Sequence, residues 1–291
     1  MPTTPGSAAP SSPSYGGVRE PGGTGDPAYL DNERRALEHL ERAGVALAPL
    51  ILTSDVGVVL MTDMGTGPSV QDLLIADAST PAERGLVALA SAASRVHAAR
   101  GSERFRAARR VPFLDDPLGS WSDLCAAADD LGFPSPAHAC ADAEALAGAL
   151  ADERFRGFTH GDLTPSNAVV IDGEARIFDF EGAGVRHLGI DAGCLRLSFP
   201  QYGRWAVLPG PVLARMDRAY RAELVEGRPA VADDAVYERL MAEGCLAWAV
   251  VRASRLRLIA SADQASDGAP RSCTRSPPRP IPPGPLGSIP R

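Results

Sequence analysis

Apolar positions along the chain repeat with two periods, and the switches between them lay out the elements. A helix is predicted from Asp31-Asn32, with Leu37 and Leu40 on one face and a stop at Gly44. Pro49 then introduces Leu50-Ile51-Leu52, and Ser54-Asp55 through Gly57 turn the chain into Val58-Val59-Leu60-Met61, which predicts a β-hairpin. Thr80-Pro81-Ala82-Glu83 reads as a capping box with Pro at the first helical position. Leu86, Leu89, Ala90, Ala93, Val96 and His97 follow at helical spacing. An Ala/Leu helix covers 139–152. Two short β-prone runs, Ala168–Ile171 and Glu174–Phe178, are joined by Asp172-Gly173, a strong local hairpin signal. Leu213, Met216, Tyr220 and Leu224 form a stripe ending at Gly227; Val236, Leu240, Cys245 and Trp248 begin another that runs to about Ile259. Stripes of this kind bury into a core rather than line a cofactor site. Residues 1–17 are rich in Pro, Ser and Gly and are predicted to be disordered. Gly22-Gly23-Thr24-Gly25 lacks a preceding strand and reads as linker, not phosphate loop. The segment 263–291 holds eight prolines without periodicity and is also predicted to be disordered. It fits a linker, a Pro-rich ligand for another module, or read-through of a shifted frame.

Composition narrows the class. The 291 residues suffice for a sizeable core. A net charge of −7 argues against a nucleic-acid partner or an anionic membrane surface. All 29 basic residues are Arg, which in an Ala-, Gly- and Pro-rich chain points to GC-rich coding and a bacterial source. Cysteines 125, 140, 194, 245 and 273 are odd in number and widely spaced, as expected of reduced thiols rather than a disulfide frame or zinc site. With no leader pattern and no apolar run of membrane length, a soluble cytoplasmic protein is expected.

The chemistry concentrates around the second hairpin. His160-Gly161-Asp162 is followed by Asn167 and then by Asp179 within Phe178-Asp179-Phe180-Glu181. If Asp172-Gly173 closes the hairpin, Asn167 faces Phe178, at a Cβ separation of about 5 Å, and Asp179 lies one step beyond. Two hard oxygen ligands then meet at the open end with Asp162 just upstream, a set suited to Mg²⁺ that also holds phosphates. A His/Asp metal hydrolase is the rival reading, but histidines 39, 97, 138 and 187 have no ligand-like spacing.

This run resembles the aminoglycoside phosphotransferase family, small-molecule relatives of the protein kinases, whose pattern is His-Gly-Asp, four residues, Asn, and a hairpin ending in apolar-Asp-Phe-Glu. The resemblance covers about Val18 to Ile259 and implies an α+β, protein-kinase-like two-lobe fold. A truncated, β-containing N-lobe would occupy 18–66, with a helix, a hairpin and a hinge at Thr62-Asp63-Met64-Gly65. A mainly helical C-lobe would occupy 67–262. Transferred residue by residue, Asp162 orients and deprotonates the acceptor hydroxyl, while Asn167 and Asp179 hold Mg²⁺ on the ATP phosphates. Asp63 and Met64 contact the nucleotide; His160, Glu181 and Asp191 (in Gly189-Ile190-Asp191-Ala192) are supporting; and His97 packs beneath the catalytic loop. Glu33 fits the helix Glu of the family, and Arg19 occupies the position of its strand Lys. The glycine-rich turn has no counterpart here. Two expectations therefore stand: an ATP/Mg²⁺-dependent phosphotransferase acting on a small-molecule hydroxyl, with a start codon misassigned or the gene truncated, or an inactive kinase-fold binding module. An aminoglycoside-like or other amine-bearing acceptor is implied, and Asp233, Asp234, Glu238 and Glu243 are candidates to face it.

Overall fold

The computed structural model describes residues 18–19, 27–55, 58–76, 79–134, 139–197, 199–201 and 204–255. The segments 1–17 and 263–291, the Gly22–Gly25 run, His138, Cys273 and the far end of the last apolar stripe lie outside the described residues. Strand β1 (Val18–Arg19) precedes helix α1 (Pro27–Arg42), then strands β2 (Ile51–Asp55) and β3 (Val58–Met61). Together the strands make an antiparallel sheet of order β1-β3-β2. Helix α1 starts four residues earlier than the sequence pattern predicts. Pro27 fits the first turn, where its missing N–H costs nothing, and Leu30 adds a buried contact to those of Ala36, Leu37 and Leu40. Gly44, at φ 75°, supplies the left-handed residue that ends the helix.

Helices α2 (Val70–Ile75) and α3 (Ser79–His97) open the larger part, followed by α4 (Pro112–Asp115), α5 (Trp121–Asp130) and α6 (Cys140–Leu150). Strands β4 (Arg156–Thr159), β5 (Ala168–Ile171), β6 (Glu174–Ile177) and β7 (Gly184–His187) come next. Then follow α7 (Gly189–Gly193), the hairpin β8 (Phe199–Gln201) and β9 (Arg204–Ala206), and helices α8 (Gly210–Gly227) and α9 (Asp234–Ala253). The capping box expected at Thr80–Glu83 does not form, because Ser79 and Thr80 are already helical and Glu83 pairs with Arg215 on α8. A capping box does form at the start of α2, where Ser69 Oγ accepts from Asp72 N–H (3.0 Å) and Asp72 Oδ2 accepts from Ser69 N–H (3.1 Å). Small residues let α3 approach its neighbours. Ala82, Ala92 and Ala93 are buried on it, and a Cβ at Gly227 of α8 would sit 2.8 Å from that of Ala98. One apolar core, including Leu37, Leu86, Leu89, Phe158, Ile177, Leu224 and Leu240, runs through both parts.

Candidate active site

The hairpin β5–β6 sets the site's geometry. Ala168 pairs with Ile177 and Ile171 with Glu174, the register the sequence implies. Asp172 (φ 53°) and Gly173 (φ 84°) both take the left-handed conformation that a tight two-residue turn demands. One step beyond the ladder, Phe178 N–H donates to Asn167 O at 3.1 Å, so the open end of the hairpin stays closed where the oxygen-bearing residues stand.

Asn167 is buried, and its Nδ2 donates to Asp162 O (2.9 Å) and Asp162 Oδ2 (3.0 Å). Because both partners are acceptors, the amide orientation follows, and Oδ1, which accepts a long bond from Ser166 Oγ (3.4 Å), keeps a second lone pair for other chemistry. Asp179 has φ 72° and ψ 53°, in the left-handed region that side chains other than Asn and Asp enter at a cost. This kink follows directly on Phe178, whose N–H is bonded to Asn167 O, and turns the chain out of β6. The Asp162 carboxyl is held above its ordinary value. Burial is the main cause, and Asp179 and Asp191 add to it, outweighing the opposing effects of His160 and the Asn167 hydrogen bond.

Beneath these groups lies a second layer. His160 is fully buried; its Nε2–H donates to Phe178 O (2.9 Å) and its Nδ1 accepts from Asp162 N–H (3.1 Å), which fixes the ring proton on Nε2. The Asp191 carboxylate accepts the backbone N–H groups of His160 and Gly161 and the Nε2–H of His97 (3.2 Å); His97 Nδ1 in turn meets Tyr220 Oη at 2.7 Å. Burial alone pushes the Asp191 carboxyl up, but His97, His160 and these donors together hold it below the usual carboxylate range. The backbone at His160-Gly161 is thus clamped by a buried charge. Gly161 sits at φ 86°, and an added Cβ there falls 2.1 Å from Gly182 O, so the loop and the segment after Asp179 touch backbone to backbone.

Asn32 of α1 has a part that the sequence pattern did not single out. It is fully buried, with Nδ2 donating to Glu181 O (2.9 Å) and Ala183 O (3.0 Å) while Oδ1 accepts from Ala108 N–H (2.7 Å). The signal was present as a polar residue among Leu30, Ala36 and Leu37 on a buried face. Glu33 is buried on the next position of α1, and Arg19 lies on β1 opposite Val59 of β3; the Arg19 side chain is outside the described residues. Just after β3, Asp63 Oδ1 accepts from Gly65 N–H (2.9 Å) and Met64 O accepts from Arg176 Nη1 (2.6 Å). Glu181 is tied in through its carbonyl, by Asn32 and by Arg109.

Of the four acidic residues expected to face a cationic acceptor, Glu243 is corrected, because it is buried. Asp233 caps the helix by accepting Val236 N–H, Asp234 pairs with Arg221, and buried Glu243 is held by His187 (3.0 Å) and Arg239 (2.6 Å). Glu243 is drawn inward because a buried histidine needs an acceptor. Cys125, Cys194 and Cys245 are free thiols, in line with the sequence.

A small antiparallel sheet with one helix, joined to a larger helical part whose loop and hairpin gather two carboxylates and an amide, defines a kinase-like phosphotransferase fold. Plasmodium vivax ethanolamine kinase has a similar fold, at a TM-score of 0.50 and 14% identity over 84% of this chain and 74% of that one. A choline/ethanolamine kinase family protein from Mesorhizobium loti (18% identical, 82% of this chain and 73% of that one, TM-score 0.47) also matches. So does the macrolide 2′-phosphotransferase MphH from Brachybacterium faecium (19% identical, 85% and 80%, TM-score 0.43). No curated protein matches the chain. The model of the APH family, the phosphotransferase enzyme family, matches residues 18–233, and the chain belongs to that family.

Among the described residues no helix is long and apolar enough to cross a membrane. Among the same residues, no group of three or more His, Cys, Asp or Glu side chains gathers as a metal cage.

Proposed function

We propose that the protein transfers the γ-phosphoryl group of ATP to a hydroxyl of a small molecule, with Asp162 as the base. The carrying observation is the Asp162–Asn167 pair set beside the left-handed Asp179. Asp162, kept above its ordinary pKa yet held by Asn167, is suited to orient an acceptor hydroxyl and take its proton as the bond to phosphorus forms. The donor set fits Mg²⁺: an amide oxygen and a carboxylate are hard ligands, and a site with few protein ligands suits an ion that shares its coordination with phosphates. Asn167 Oδ1 and Asp179 would hold it, and the bound ion would neutralise charge on the transferring phosphoryl group. His160 and Asp191 act by positioning, since they fix the backbone on either side of Gly161. We place the nucleotide against the 62–65 connection, between an N-lobe over 18–66 and a C-lobe beyond it, with Arg19 and Glu33 toward its phosphates.

Transfer from radiolabelled ATP to a panel of amine-bearing and neutral polyhydroxy compounds tests the reading. Asp162→Asn should lower kcat about 10²- to 10⁴-fold while Mg-ATP still raises the melting temperature. Equal transfer by both proteins would remove Asp162 from this role. Mg-ATP binding by the wild type without transfer to any acceptor would favour the inactive binding module, a reading motivated by Arg19 standing at the family's Lys position on β1.

A further inference from the structure

A cavity of about 400 Å³ opens between the 105–117 segment and strand β7, and its lining does not include Asp162, Asn167 or Asp179. Arg106, Arg109, Arg110, Arg156 and Arg186 all line it with Asp115, in a chain whose net charge is −7, and Arg156 pairs with Glu153 (3.4 Å) outside the lining. Asp115 is already engaged, by Arg186 Nε at 2.6 Å and by Arg110 at 3.8 Å. Arg106 donates only to the carbonyls of Glu103 and Phe105. Arg109 donates to Glu181 O and stacks on the Tyr29 ring at 3.5 Å. Among the described residues neither has a carboxylate partner. His187, also in the lining, adds no charge at neutral pH, because burial pushes it below its ordinary value despite Glu243.

The deepest of these groups is the most telling. Arg186 is 3% exposed; its Nη1 donates to Thr159 Oγ1 and Gly182 O, while its buried Nη2 has no hydrogen-bond partner. A buried guanidinium nitrogen left without an acceptor costs stability unless something supplies one.

We propose that this cavity is a binding site for a small phosphate-bearing anion, an organic phosphate of sugar-phosphate size. Forked guanidinium donors match phosphate oxygens in pairs, and several convergent arginines suit a divalent charge better than a monocarboxylate.

The test is isothermal titration of the full chain in EDTA, using glucose 6-phosphate, inorganic phosphate and glucose as probes. Glucose 6-phosphate should bind and glucose should not; inorganic phosphate binding as tightly as the sugar phosphate would narrow the ligand to free phosphate and overturn the organic part of the proposal. Arg109→Gln with Arg106→Gln, both at accessible positions, should weaken binding about tenfold or more, while Asp179→Asn leaves it unchanged. The converse pattern, loss in Asp179→Asn with retention in the arginine pair, would assign the anion to the nucleotide site and refute the proposal. Absence of wild-type binding at millimolar probe would refute it as well. Unchanged melting temperatures for the arginine variants keep loss of binding distinct from unfolding.

Discussion

Replacing Asp191 by Ala removes a carboxylate that is 4% exposed and accepts three N–H groups, from His160, Gly161 and His97. Two of these donors belong to the backbone of the His160-Gly161 loop and cannot reach water without moving it. Removing one member of such a buried charged network costs about 3–5 kcal/mol. Asp191→Asn should cost less, because its remaining oxygen still accepts while its amide faces the other donors. Urea unfolding followed by tryptophan fluorescence measures the difference, read as a fall in midpoint at constant m-value. The sign of the pH dependence is fixed by the depressed Asp191 pKa. Its contribution is fully present above the unfolded carboxyl value of about 3.9 and is lost as pH falls through the lower folded value. The gap between wild type and Asp191→Asn should therefore be constant from neutral pH down to about 4 and shrink below it. An Ala variant within about 1 kcal/mol of wild type, well under the cost of a broken buried network, would refute the idea that this carboxylate clamps the loop. A gap that widens on acidification would refute the ionisation argument.

Two glycines with nearly equal backbone angles should respond differently to substitution. Gly173→Ala (φ 84°, with nothing within 4 Å of the added Cβ) should cost only the left-handed penalty of about 1–2 kcal/mol. Gly161→Ala must also displace Gly182 O from 2.1 Å, so it should cost visibly more in urea unfolding and abolish transfer. Equal losses would show that the backbone contact is soft. His39 is wedged against Phe105 and Phe158, with Nε2 buried and without a hydrogen-bond partner, and burial pushes its pKa down. The unfolded chain takes up the proton first, so stability should fall as pH drops below about 6.5. His39→Phe should flatten that fall between melting curves recorded at neutral and mildly acidic pH; an unaltered slope would clear His39 of responsibility.

What the sequence disclosed was mostly local. Asp172-Gly173 specifies a turn with two left-handed residues, so the register from Ala168 to Ile177 follows without tertiary help. The stripes on α8 and α9 are equally local, as is the stop at Gly44. Errors arose where a local motif competed with a distant partner. Glu83 spaced itself like a capping residue and instead pairs with Arg215, while Glu243 looked like a surface acid and is the buried partner of His187. The antiparallel pairing of β4 with β7, Arg156 opposite His187, joins strands with no periodic signature that links them. Asn32 illustrates the same limit, because its three backbone partners lie on segments far from it in the chain.

The hairpin flanked by Asn167 and Asp179 is fastened to the segment that follows β3 and to the loop that precedes β2. Arg176 holds Met64 O, Val170 N–H donates to Pro68 O, Val169 bridges Ser69, and Ile177 N–H donates to Leu47 O. β5 is bridged to Pro68 and Ser69, and β6 holds Met64 and Leu47, so the strap and the chain on either side of β2–β3 form a single mechanical part, while strands β1–β3 share none of these bonds. Sequence change in the small sheet is thereby decoupled from the spacing of the reacting groups. Drift there should register as altered nucleotide KM, and the chemical step, set by the strap, should persist through it.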